Sequence, residues 1–174
     1  MSTASVIAVT QTDTDLTFTQ ILDAPRELIF HIFSEAEHIK QWWGPQGWTM
    51  SVCTLDFRPG GTWHYGIRNT KGEEHWVKAH YQEIVPFERI MYTDHMVDAQ
   101  GNPLEGFAPK QVIVTFDEAD GKTSLNVHVQ LASAAACEKL VNLGFAQRFP
   151  ETLNHLEQHM NNVKHTRFYP GRVS

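Results

Sequence analysis

From Asp15 the chain alternates: Leu16, Phe18, Gln20 and Leu22 fall on one side, and Thr17, Thr19 and Ile21 on the other. A period of two over this length predicts a strand with one dominantly apolar face. The period then changes. Pro25 stands where a first helical turn tolerates it, Glu27 favours the positive helix end, and Leu28, Ile29, Ile32 and Phe33 form the stripe of a short helix. A second short helix is predicted from Glu37 to Trp43, stopped by Gly44-Pro45. Four strands follow over about 49–57, 62–70, 74–85 and 88–97, parted by Pro59-Gly60-Gly61, Lys71-Gly72 and Pro86-Phe87. Turns this short imply antiparallel hairpins, because parallel neighbours need long crossovers.

A loop carrying Gly101, Pro103, Gly106 and Pro109 leads to Val112, Val114 and Phe116. Asp120-Gly121 then turns the chain into Leu125, Val127, Val129 and Leu131, alternating with Asn126, His128 and Gln130. From Ser133 the period is helical: Phe145, Phe149, Leu153, Leu156, Met160 and Val163 make one stripe, with Pro150 predicted to kink the helix or restart it near Phe149. The expected fold class is α+β. Seven antiparallel strands, two short helices after the first strand and one long terminal helix near 134–163 would enclose a single core. The domain is expected over residues 15–163, with tails at 1–14 and 164–174.

This order, with these punctuation residues, resembles the START-like superfamily of helix-grip proteins, also called SRPBCC or Bet v 1-like. Within it the chain is most similar to the family named after the activator of the heat-shock-protein ATPase. The resemblance rests on Ala24-Pro25, Trp42-Trp43-Gly44-Pro45, the run from Asp56 to Trp63, the run from Glu83 to Ile90, and Gly144-Phe145. It implies a curved sheet gripping the terminal helix with a cavity between them. Phe145 stands where the family pattern usually has tryptophan, and Pro150 is less usual in its helix. The superfamily includes lipid carriers, hormone receptors and polyketide cyclases, so fold alone does not assign chemistry. The activators themselves carry a further chaperone-binding domain, and a co-chaperone role is not expected of this chain.

Composition narrows the function classes. A length of 174 residues suits one domain, and a net charge of -6 argues against tracking nucleic-acid phosphates. Cys53 and Cys137 are too few for a disulfide framework and read as buried thiols of a reducing compartment. The first residues lack a signal-peptide pattern, and no apolar run approaches a bilayer span, so a cytoplasmic location is expected.

The candidate chemistry is sparse. All five tryptophans lie between Trp42 and Trp76. Trp42 and Trp43 are expected to anchor the second helix, while Trp63 and Trp76 are expected to face the cavity. Alternation puts Trp76, His80 and Ile84 on one strand face and Ile90, Tyr92, Asp94 and Met96 on the next, so pairing Ile84 with Ile90 would set His80 opposite Asp94. That pair reads as a polar anchor or an acid–base couple; the alternatives are a structural pair, or a one-residue bulge that turns them outward. His155 and His159 have the i,i+4 spacing of a metal-binding helix, but lack the Glu-first arrangement of zinc hydrolases and an assignable third ligand, so no metal and no cofactor are expected.

The expected ligand-binding set is Trp63, Trp76, His80, Tyr92, Asp94, Met96, Phe145 and Phe149. Three functions compete. One is a module that encloses a small, mostly apolar or amphipathic molecule. Another is a cyclase- or hydrolase-type enzyme using His80 and Asp94. The third is a stress-related interaction protein with a vestigial cavity. A homodimer stays open.

Overall fold

The computed structural model describes residues 6–165; the ends of both expected tails, 1–5 and 166–174, lie outside the described residues. Among the described residues, eight strands form one antiparallel sheet in the order β1-β2-β8-β7-β6-β5-β4-β3. They are β1 (Ala8–Gln11), β2 (Asp15–Leu22), β3 (Trp48–Leu55), β4 (Thr62–Asn69), β5 (Glu74–Val85), β6 (Arg89–Val97), β7 (Lys110–Ala119) and β8 (Lys122–Leu131). Helices α1 (Arg26–Ser34) and α2 (Ala36–Trp42) follow β2, and α3 (Ala134–Asn142) and α4 (Phe145–Lys164) close the chain.

The strand count corrects the expected seven. β1 lies within the stretch read as a tail and pairs along β2, from Ala8 opposite Thr19 to Gln11 opposite Leu16. All its residues are exposed, so it has no apolar face to reveal it in the sequence. What it supplies is backbone hydrogen bonds to the outer edge of β2.

The terminal helix is likewise two helices, and the break falls before Phe145, not at Pro150. Gly144 takes φ 92°, a left-handed conformation that glycine adopts without steric cost. Its N–H donates to Val141 O (2.9 Å) and that of Leu143 to Lys139 O (3.0 Å), closing α3 before α4 starts. Pro150 is accommodated inside α4.

The predicted alternation of β2 is observed: Leu16, Phe18, Gln20 and Leu22 are buried while Ile21 is 51% exposed. With Val112, Val114 and Phe116 of β7 and Leu125, Val127 and Val129 of β8 they form the floor of the core. Phe149, Leu153, Leu156, Met160 and Val163 of α4 press onto this floor, with Leu156 fully buried. Gln20 Nε2 ties floor to helix by donating to Leu153 O at 3.2 Å. Leu28, Ile29 and Ile32 of α1 and Ile39 and Trp42 of α2 close one end.

Between β3 and β4 the turn requires a glycine, because a Cβ on Gly61 would lie 2.0 Å from Asp56 O. No helix among the described residues is long and apolar enough to cross a membrane.

Candidate functional site

The register of β4, β5 and β6 decides which side chains face α4. Trp63 pairs with Ala79, Tyr65 with Val77, Tyr81 with Tyr92, and Ala79 with Asp94. Trp63, Tyr65, Val77, Ala79, Tyr81, Tyr92 and Asp94 are all buried on this inner face. Met96, opposite Val77, packs partly buried at its margin.

Two expected site residues are elsewhere. β5 carries a bulge between Tyr81 and Glu83. The extra residue reverses the inward–outward alternation. Ile84 does pair with Ile90, yet His80 ends opposite Thr93 rather than Asp94. His80 is exposed on the outer face, near His95 (ring centroids 5.7 Å apart). Desolvation first, then the neighbouring His95 and Lys78, hold its imidazole below the ordinary histidine range. No His80–Asp94 couple exists in this register. Trp76 is also on the outer face: it pairs with Gly66, and a Cβ there would come within 2.9 Å of the indole.

The partner of Asp94 is Lys110, which starts β7. Its Nζ donates to Asp94 Oδ1 at 2.6 Å, and the two side chains are 17% and 7% exposed for Lys110 and Asp94. The ammonium also lies 5.5 Å from the centroid of the Phe145 ring. Sequence reasoning passed over Lys110, although it is in phase with Val112, Val114 and Phe116. It passed over Tyr65 and Tyr81 as well. Burial, and secondarily the nearby Asp94 carboxylate, push the hydroxyls of Tyr65 and Tyr92 well above the ordinary tyrosine range. Burial does the same to Tyr81. These phenols stay protonated and are not bases.

Aromatic rings run without interruption from the ion pair to the surface. Phe145 stacks on Phe149 with centroids 5.3 Å apart, and Phe149 meets Trp43 at 6.0 Å. On the sheet side Trp43 meets Trp63 at 4.9 Å, and Trp63 meets Tyr92 at 6.1 Å. Edge-to-face contacts of this kind suit the ring quadrupoles. Trp43 is the hinge of the arrangement, half-buried where the inner face ends and a surface cleft begins.

That cleft, about 260 Å³, lies between the end of α2, the start of β3 and the later turns of α4. Trp42, Trp43, Trp48, His155 and His159 are among its walls. Its shape follows from how α4 holds the Trp-Trp-Gly-Pro turn. Gly44 takes φ 117°, and its carbonyl accepts from His155 Nδ1 at 2.8 Å. Glu151 Oε1 accepts from the Gln46 N–H at 3.1 Å. His155 is thus occupied with the turn, while His159 faces His38 instead. The expected anchoring role of Trp42 is observed: it is 2% exposed and its indole N–H reaches Ile32 O at 3.4 Å.

Solved structures share this architecture. A protein from Arthrobacter aurescens superimposes with a TM-score of 0.85 at 16% identity, over 89% of this chain and 91% of that one. One from Mycobacterium smegmatis gives 0.81 at 23% identity, over 88% and 96%. An AHSA1 protein from Silicibacter pomeroyi gives 0.70 at 21% identity, over 87% and 99%. No curated protein matches the chain. The expected helix-grip fold is therefore the observed one, with eight strands in place of seven. Since the family model described as "Activator of Hsp90 ATPase homolog 1-like protein" matches residues 23–161, most of its length, the chain belongs to that family.

Proposed function

We propose that this protein is a binding module for a small, mostly apolar molecule carrying one polar group. The molecule would lie along the aromatic wall between the sheet and α4, reaching it from the cleft beside Trp43. The observation that carries this reading is the ring path from the cleft, through Trp43 and Trp63 and through Phe149 and Phe145, to the buried Asp94–Lys110 pair.

Folding alone gives little reason for such a pair, since well-packed apolar residues of similar volume usually stabilise as well or better. A few fixed polar groups on an apolar wall are what orient a bound molecule. The cleft volume of about 260 Å³ is just below the usual range for small-ligand pockets, so displacement of Trp43 is part of the binding event. The enzyme alternative loses its acid–base couple, because His80 and Asp94 point to opposite faces of the sheet.

The test uses an anilinonaphthalene sulfonate dye, an apolar body with one anionic group. It should bind one-to-one and quench or shift tryptophan emission. Phe145→Trp fills space beside Phe149 and should weaken binding without unfolding the chain. Lys110→Met should weaken it also, by removing the polar anchor. Unaltered dye affinity in both variants, each shown by circular dichroism to be folded under the assay conditions, would overturn the reading and leave the interaction-protein alternative.

A further inference from the structure

The break between α1 and α2 gathers a group of side chains with metal-ligating chemistry. Glu35 takes an extended conformation (φ -125°, ψ 133°) between the two helices, so residues on either side of it converge. His31 on α1, Glu35 at the break and His38 on α2 each present a ligand atom within 4.8 Å of the others. The His31 Nε2 and Glu35 Oε2 atoms are in direct contact, and the His31 and His38 ring centroids are 5.3 Å apart.

An independent contact joins this group to α4: His38 Nδ1 and His159 Nε2 lie 2.9 Å apart. Two imidazole nitrogens at that distance share one proton, which orients both rings. A metal-bound histidine ordinarily donates its second ring N–H to an acceptor, a role that the His159 Nε2 lone pair can fill for His38. Lys40, on the same helix as His38, is ion-paired with Glu37.

We infer that His31, Glu35 and His38 form a binding site for a divalent transition metal of the zinc class, with His159 as the positioning residue behind His38. Two imidazoles and one carboxylate are a recurring protein ligand set for zinc, with water or another donor completing the coordination. Nitrogen-rich sets of this kind select against magnesium and calcium, which prefer all-oxygen surroundings. The ligands lie within eight residues of sequence: His31 and Glu35 have i,i+4 helical spacing, and the break at Glu35 brings His38 to them. The i,i+4 pair His155–His159 is not the site, since His155 is engaged with the Gly44 carbonyl. Of these four residues only His159 also borders the cleft, while His31, Glu35 and His38 do not, so metal titration tests the site independently of the ligand-binding reading.

The experiment takes the full chain, stripped with a chelator, and titrates Zn²⁺ by calorimetry and Co²⁺ by visible absorption. One-to-one binding is expected, with a rise in Tm and Co²⁺ bands of imidazole–carboxylate coordination. His38→Ala and Glu35→Gln should abolish the saturable binding, and His159→Ala should weaken it about 10- to 100-fold. His155→Ala should leave it unchanged. Circular dichroism and Tm in chelator establish that each variant is folded; should His38→Ala unfold, Glu35→Gln and His31→Gln decide the matter. Absence of saturable one-to-one binding to the wild type, or equal affinity in the folded Glu35→Gln and His31→Gln variants, would overturn the inference.

Discussion

Truncating Lys110 would leave the Asp94 carboxylate, 7% exposed, without its ammonium partner. Removing one member of a buried pair costs about 3–5 kcal/mol, whereas replacing both is often nearly neutral. Lys110→Met should therefore destabilise strongly in urea unfolding, and the double variant Asp94→Asn with Lys110→Met should recover most of the loss. Equal losses in the single and double variants would mean that the pair interacts little. Half of this pair was legible: Asp94 shares a strand face with Ile90 and Tyr92, and Lys110 is in phase with Val112. Their meeting was not, because β6 and β7 are joined by a loop of some dozen residues whose length does not set the register. Gly66 supplies a second test at this scale. A methyl group there would lie 2.9 Å from the Trp76 ring, so Gly66→Ala should shift that indole and change its emission while costing about 1–3 kcal/mol.

Bulges and breaks are where element-level reading of the sequence ran out. Strict alternation along β5 puts Trp76, His80 and Ile84 together, but one extra residue near Gln82 separates Ile84 from the other two. A bulge leaves no compositional mark when the inserted residue is an exposed polar one, as Gln82 is. By contrast the α4 stripe was readable because Phe149, Leu153, Leu156, Met160 and Val163 repeat at helical spacing and are all buried. Leu156→Asp would bury an unpaired charge at a fully buried position, and it should abolish cooperative unfolding or lower Tm sharply. The α3–α4 break makes a smaller, cleaner prediction. The nearest atom to a Cβ on Gly144 would be Arg148 Nε at 3.4 Å, so packing is little disturbed. The cost of Gly144→Ala is then the left-handed backbone itself, about 1–2 kcal/mol. A change of no more than a few tenths in chemical unfolding would place the break elsewhere.

Across the whole molecule the strand and helix order was legible because each apolar face repeats with its own period. Edge strand β1 escaped because nothing on it is buried. One contribution expected to the acid response of the fold comes from a contact where β2 meets β8. Asp15 accepts from the Thr14 hydroxyl at 2.7 Å and from His128 Nε2 at 2.6 Å. The Thr14 bond first, then His128, hold the Asp15 carboxyl below its ordinary value. A carboxyl whose folded pKa is depressed takes up its proton more readily in the unfolded chain, whose value is about 3.9. Its stabilising contribution is therefore complete above that value and is lost as pH falls through the lower folded one. Asp15→Asn should reduce stability near pH 6, and the gap between wild type and variant should narrow as pH drops toward 2. Thr14→Ala removes the larger cause and should narrow the same gap by a smaller amount. Unfolding curves taken across this range that run parallel for wild type and Asp15→Asn would show that the carboxyl titrates alike in both states, and the contact would then be without effect on acid stability.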